Sequence, residues 1–552
     1  MLRPGHLLRN DKLAATISGH PGLLCLTICL LWIFFGLIGH APWKSEEALL
    51  IGQISQLNQF DSLFFFSILE DRINFGPIFY FVTTGFIALL SEILIEHDAA
   101  RLSMAVWLTL TLFFLSQTAK ELWGRTQGFL APLLLIGSAG FLVKSHQLSV
   151  IPLVITAMTL FAYGMAVAPR RCIVGGLFIG TGLAIIILEG NSEYLLIPLI
   201  TIFLMFLTNT RYRSLRFIKT VSVSFGVVSL FLIIWMMTLY QEHPSLLFKW
   251  LECLSESTTD SVTAPNLSTL IQPATMLPWY AWPTWLFLFW SLWIEGREGI
   301  KRKELQLPIA LWLSVTFLMC ITNIKSEAEL MPILIPFALI GSIAANRLPR
   351  GGANALYWFS IMSTLFFVLA AWVYFSASYF GVPRELSEHL LQLQPEYQSG
   401  NRNNVVFFGI LITALWLVFL FNIKRSPERP IIIWSTNLTV GWILTTVLLF
   451  HWVDSRKTYG PMIESMTRHI NPQHNCIIAQ IGPAQRGLVH YFSNLETIDT
   501  YKQTEGKSCD YLIHQDRWDN DDSIDLPWRL VWEGGRPGDT AERYRLYKRE
   551  PE

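Results

Sequence analysis

The sequence predicts a polytopic α-helical membrane protein with about 13 transmembrane helices, followed by a small C-terminal α/β soluble domain. Three observations carry that prediction. Hydrophobic residues make up 52% of the 552 positions and charged residues only 15%, where a soluble protein carries about a quarter charged. Long apolar runs recur from residue 22 to residue 451. From Ser455 onward the apolar residues come in short runs between charged residues, Asn, Gly and Pro. Lysine plus arginine equals aspartate plus glutamate at 41 each, so there is no basic footprint for nucleic acid.

The apolar candidates are 22–39, 77–95, 101–118, 128–142, 147–168, 172–188, 193–208, 220–240, 280–294, 307–322, 329–345, 354–376, 404–422 and 431–451. Arg3, Arg9 and Lys12 precede the first, and no small-residue cleavage site follows it. It therefore reads as an uncleaved span running outward from a cytoplasmic N-terminus. Arg211, Arg213, Arg216 and Lys219 mark the strongest inner loop. Alternation from that loop also puts Arg170-Arg171, Lys301-Arg302-Lys303, Arg347/Arg350 and Lys424-Arg425 inside. Both ends of 77–95 then fall outside, so this segment is expected to lie along or dip into the outer surface. The remaining crossings number thirteen. The other reading is that the charge rule is weak in one short loop.

On this topology the outer side receives loop 40–100, segment 143–147, the turn at Glu189–Glu193, loop 241–279, the turn 323–328 and residues 377–403. Loops of that length usually carry function. Glu46, Leu49, Leu50, Gln53, Ile54 and Leu57 recur at helical spacing, which predicts an amphipathic helix on the membrane surface. Glu46 and Glu47 would stand in its first turn, where the helix dipole favours carboxylates. Two readings stay open for them: solvated residues at a helix N-terminus, or a carboxylate pair doing chemistry at the water side of a span. Glu189 and Glu193 flank the end of an apolar span, where they either face water or take part in a site. His243 and Asp260 read as solvated loop residues.

The organisation is 1–454 membrane and 455–552 outer-face α/β. In the second part, 476–480, 511–514, 528–532 and 544–547 read as strands and 483–492 as a helix. Cys476 and Cys509, both in this polar region, are the two cysteines that could pair, and the sequence leaves open whether they do. The turn Glu533–Asp539 suggests no chemistry.

These features resemble the integral-membrane glycosyltransferases of the GT-C fold, nearest to the bacterial branch related to protein O-mannosyltransferases and the lipid A aminoarabinose transferase. The resemblance rests on the acidic first loop Pro42-Trp43-Lys44-Ser45-Glu46-Glu47, on Pro77-Ile78-Phe79-Tyr80, and on Asp98-Ala99-Ala100-Arg101-Leu102. His146 ahead of a span, the stretch Gly175–Gly182, and Arg545-Leu546-Tyr547-Lys548 near the end complete it.

The resemblance implies transfer of a sugar from a polyprenyl-phosphate donor to a lipid, glycan or protein acceptor, at the outer (periplasmic) face of the bacterial inner membrane. Metal-dependent and metal-independent branches both exist, so a divalent metal stays open and no other cofactor is implied. By position, Glu46 stands where the family has its first-loop Asp and Glu47 where it has the adjoining Glu. These two are the catalytic candidates. The family's Glu-Lys is Asn74-Phe75 here, its Lys-Gly is Glu189-Gly190, and a second outer-face Asp reads Ile151. With those lysines replaced, Arg72 and Arg101 are the candidates for the donor phosphate. Asp71, Asn74, His146 and Glu189 are further cavity candidates. The alternative is a catalytically inactive relative that binds a polyprenyl-phosphate lipid or a partner transferase. A secondary transporter would call for internal repeats and broken, ionisable spans, and the sequence has neither.

Overall fold

The computed structural model describes residues 21–43, 46–59, 67–68, 71–72, 76–242, 244–245, 247–248, 250–252, 254, 269, 271–322, 326–395, 397, 400, 402–471, 476–499, 509–519 and 528–550. In chain order the helices begin with α1 (Pro21–Phe34), α2 (Glu46–Gln59), α3 (Pro77–Leu90), α4 (Glu96–Trp123), α5 (Arg125–Ile136), α6 (Ala139–Ser145), α7 (Ile151–Val167) and α8 (Cys172–Leu188). They continue with α9 (Leu196–Thr208), α10 (Leu215–Glu242), α11 (Ile271–Tyr280), α12 (Thr284–Ile300), α13 (Lys303–Ile321) and α14 (Met331–Ala344). The last of the apolar series are α15 (Arg350–Phe380), α17 (Asn403–Asn422) and α18 (Arg429–Lys457), with the short polar α16 (Arg384–Leu393) between the first two.

Among the described residues seven helical stretches are long and apolar enough to cross a membrane, and α1, α3, α7, α8 and α9 are shorter apolar helices. An apolar chain in lipid satisfies its backbone only by folding into helices. The outward faces confirm the solvent: Phe225 and Ile234 of α10, Phe366 and Phe367 of α15, and Phe407 and Ile410 of α17 are all exposed. Helix α3 has 14 residues and so is about 21 Å long, short of a hydrocarbon core of about 30 Å.

The apolar run 128–142 divides at Gly137-Ser138 into α5 and α6. There the freed groups find partners on another element: Ser138 Oγ meets Thr284 Oγ1 at 2.7 Å, and Ala139 N–H donates to the Trp282 carbonyl at 3.1 Å. The stretch Gly175–Gly182 is a packing stripe on α8. A methyl group at Gly176 would stand 2.6 Å from the Thr220 carbonyl oxygen of α10, and one at Gly182 would stand 2.6 Å from the Ala157 oxygen of α7. Small residues let helix backbones touch where no hydrophobic effect drives association.

Beyond α18 come α19 (Gly460–Thr467), β3 (Cys476–Gln480), α20 (Pro483–Ser493), β4 (Glu496–Asp499), β5 (Tyr511–Asp516), β6 (Trp528–Gly534) and β7 (Arg543–Arg549). A two-stranded ribbon, β1 (Ser67–Ile68) and β2 (Asp71–Arg72), precedes them in the first loop. The C-terminal sheet has the order β4-β3-β5-β7-β6. Its first three strands are parallel and its last two pairings antiparallel. Strand β4, only four residues long, was not foreseen. Cys509 is disulfide-bonded.

The sheet unit grips α2. Ala48 belongs to its core, packed with Tyr459, Ile463, Ile477 and Leu488. Where α2 crosses α20 the backbones meet, and a methyl group at Gly52 would stand 2.4 Å from Gly487 Cα.

Candidate active site

The first two residues of α2 are neighbours in sequence and point different ways. Successive residues on a helix lie about 100° apart, so one of the pair can face solvent while the other enters the core.

Glu47 enters the core. It is 1% exposed and pairs with Arg101, which is itself fully buried near the start of α4. The remaining Arg101 contacts run from Nη1 to the His40 carbonyl at 2.7 Å and to Asp98 at 2.8 Å. Asp98 in turn accepts from Gly39 N–H at 3.1 Å. Burial, with Arg101 adding to it, lowers the His40 pKa to about 3, so its imidazole stays neutral and donates from Nδ1 to the Ala41 carbonyl at 2.9 Å. Asp454 of α18 completes the frame, accepting from Ala41 N–H at 2.9 Å and from Trp43 Nε1 at 2.8 Å. This network fixes segment 39–43 and the start of α2 to α4 and α18.

Glu46 keeps an exposed side chain. Its Oε1 accepts from Ser149 Oγ at 3.1 Å. The protein surrounding it raises its pKa, with Glu329 adding to the rise. Ser149, the Val150 backbone and Lys144 oppose it. Glu46 thus meets solvent while the surrounding protein disfavours its charged form.

The other expected residues fall into three groups. Arg101 is fully buried and meets Glu47, Asp98 and the His40 carbonyl. His146 is 2% exposed. Its ring nitrogens lie 2.6 Å from the Leu142 carbonyl and 2.7 Å from the Trp32 carbonyl, and its ring meets Trp32 edge-on at 4.7 Å. It is a packing joint between α1 and α6. Glu189 serves α3: its carboxylate accepts from the N–H groups of Gly76, Ile78 and Phe79 at 2.9, 2.9 and 3.1 Å. Three donors at a helix N-terminus are an ordinary seat for an anion. Burial nonetheless pushes the Glu189 pKa up to about 7. Asp71 and Arg72 form β2, their side chains lying outside the described set, and Asn74 is outside the described residues.

Ser149, Lys144 and Glu329 were not picked out from the sequence. Nothing in their local patterns marks them, except that Glu329 closes a capping box with Ser326. Among the described residues no three His, Cys, Asp or Glu side chains gather as a metal would require.

No protein-family model matches the chain, and no curated protein sequence matches it. Solved structures do. ArnT from Cupriavidus metallidurans bound to undecaprenyl phosphate superposes with a TM-score of 0.67 at 12% identity, over 95% of this chain and 97% of the other. The apo state of that protein gives 0.65 at 10% identity, over 96% and 98%. The archaeal oligosaccharyltransferase AglB from Archaeoglobus fulgidus, in complex with an inhibitory peptide and a dolichol-phosphate, gives 0.46 at 10% identity, over 90% and 70%. The chain is built on the GT-C fold, along the whole length of an ArnT-like architecture.

Proposed function

We propose that this protein is a membrane glycosyltransferase, with Glu46 as its general base. It moves a sugar from a polyprenyl-phosphate donor to a hydroxyl of a lipid, glycan or protein acceptor at the outer face of the bacterial inner membrane. The acceptor O–H gives its proton to the Glu46 carboxylate as the oxygen attacks the sugar's anomeric carbon. The bond from that carbon to the phosphate oxygen breaks, and its electron pair leaves with the polyprenyl phosphate. Glu47 and Arg101 are positioning residues in this scheme: their ion pair sets the rotation of α2 and so the direction in which Glu46 points. Arg72 remains the first-loop cation offered to the donor phosphate.

The observation that carries the reading is the environment of Glu46. It is a solvent-reached carboxylate on a rigid mount, with a hydroxyl donor behind it and surroundings that raise its pKa toward the working range of a base. An architecture shared end to end with a protein solved with undecaprenyl phosphate supports the donor class.

The test is sugar transfer in membranes by Glu46→Gln and Glu47→Gln. Loss of a general base lowers the rate by roughly 10²–10⁴, so Glu46→Gln is expected to fall by that factor while the protein stays folded. Unimpaired transfer by Glu46→Gln refutes the role. Absence of transfer by the unaltered protein across a range of lipid-linked sugars, with the lipid still bound, selects the inactive lipid-binding reading instead.

A further inference from the structure

At the membrane face opposite Glu46, the ends of α4, α12 and α14 meet the starts of α5 and α13 around a cavity of about 290 Å³. Between Arg101, near the candidate site, and Trp123, in the cavity wall, α4 runs for about 33 Å. A hydrocarbon core is about 30 Å thick. The cavity therefore lies at the level of lipid head groups.

Its ionic centre is Glu295, whose side chain is 5% exposed. Helix α12 breaks directly after it. Gly296 has φ +58°, and the next turn folds so close that a methyl group at Gly299 would stand 2.3 Å from Glu295 Cβ. Two arginines arrive from separate elements. Arg302, the N-cap of α13, places Nη1 at 2.6 Å from one carboxylate oxygen, and Arg347, just beyond α14, places Nη1 at 3.0 Å from the other. Glu304, also in the cavity wall, is taken by Arg211 at 3.1 Å. Among the described residues no further carboxylate pairs with Arg302 or Arg347. One carboxylate thus balances two guanidiniums, and one positive charge is left over. Both arginine side chains are more than half exposed, at 65% and 52%, and a guanidinium carries five N–H donors in a planar fork. Leu122, Trp123 and Ile343 add apolar surface to the same cavity.

We infer that this cavity seats the head group of an anionic phospholipid from the leaflet opposite Glu46, its phosphodiester bridging Arg302 and Arg347. Charge selects the group. A phosphodiester carries one negative charge, the amount that Glu295 leaves uncompensated, and guanidinium forks match its oxygens. A choline head group would bring a cation of its own into a site that already has one in excess. Position selects the source: the arginines stand at head-group level, and the apolar wall gives the glycerol and upper chains a surface. Seating such a lipid ties together helices whose far ends adjoin the candidate site, α4 with Arg101 and α14 with Glu329 just before it. The inference goes beyond the transfer reaction and uses none of its residues.

The test is lipid titration of the full-length protein in a nonionic detergent, read by native mass spectrometry. The probes are dioleoyl phosphatidylglycerol, dioleoyl phosphatidylcholine, and glycerophosphoglycerol as the same diester without chains. Phosphatidylglycerol is expected to bind roughly tenfold tighter than phosphatidylcholine. Arg302→Gln and Arg347→Gln are each expected to abolish that preference, because either change removes the surplus charge. Each also leaves Glu295 one arginine, so the buried carboxylate stays paired, and if one variant is lost to misfolding the other decides. Arg216→Gln removes an exposed cation at the start of α10 on the same face and is expected to keep the preference. No preference in the unaltered protein, or a preference that survives either glutamine variant, overturns the assignment. Equal loss in Arg216→Gln overturns it too, by showing general attraction to a basic surface. Competition by glycerophosphoglycerol as strong as that of the lipid makes the ligand a soluble diester and refutes the lipid.

Discussion

Replacing Arg101 by methionine removes the guanidinium but retains much of the side chain's length. Arg101 is fully buried, and its ion-pair partner Glu47 is 1% exposed, so no water can take the missing cation's place. Breaking a buried pair from one side costs about 3–5 kcal/mol, because the remaining charge is left uncompensated. The His40 carbonyl loses its Nη1 donor as well, while Asp98 keeps the Gly39 N–H. The expected loss for Arg101→Met is therefore in the upper part of that range. Glu47→Gln in the same background removes the stranded charge, and the double variant is expected to recover about half of the loss or more. The assay is reversible denaturant unfolding in mixed micelles, followed by tryptophan fluorescence, for the wild type, both single variants and the double. A coupling energy below about 0.5 kcal/mol, the usual scatter for independent sites, refutes the claim that these two side chains form the frame of α2.

Three further outcomes can be checked. Because surrounding protein raises the Glu46 pKa while Ser149 opposes that rise, the acid limb of kcat/KM is expected above the usual glutamate range. Ser149→Ala should move it higher still, and an unmoved limb removes Ser149 from the site. Glu189, at about 7 when folded against 4.5 for the free group, binds a proton in the folded state that the unfolded chain has already released. Stability should therefore fall as pH rises from about 4.5 to 7, by on the order of 3 kcal/mol; Glu189→Gln abolishes that slope, and a persisting slope in stability against pH contradicts the assignment. Gly52→Val forces α2 off α20, where even one methyl group would approach Gly487 Cα to 2.4 Å; overpacking costs about 1–3 kcal/mol, and reduced transfer with increased proteolysis of the C-terminal unit is the expected signature.

The apolar helices and most strands were legible because period and length are local properties. The apolar runs at 404–422 and 431–451 reappear as α17 and within α18, and 476–480 and 483–492 as β3 and α20. The break at Gly137-Ser138 was not legible, since its partners Trp282 and Thr284 lie far along the chain. Within the candidate site the acidic pair could be found, but its division could not: which of Glu46 and Glu47 turns inward depends on how Arg101 and α20 together seat α2. Glu189 stands out in the sequence as an ionisable group at the end of an apolar span, and His146 through the family resemblance. Their partners, the carbonyls of Trp32 and Leu142 and the N-terminus of α3, are backbone groups that carry no signature in the sequence.

The seating of α2 on α20 also sets an order of assembly. A nascent chain that has just placed α18 already contains Glu46, Glu47 and Arg101, yet the helix bearing the two carboxylates still lacks one of its two supports. Release before residue 483 would leave Glu46, Glu47 and Arg101 present, with α2 held by the Arg101 pair alone.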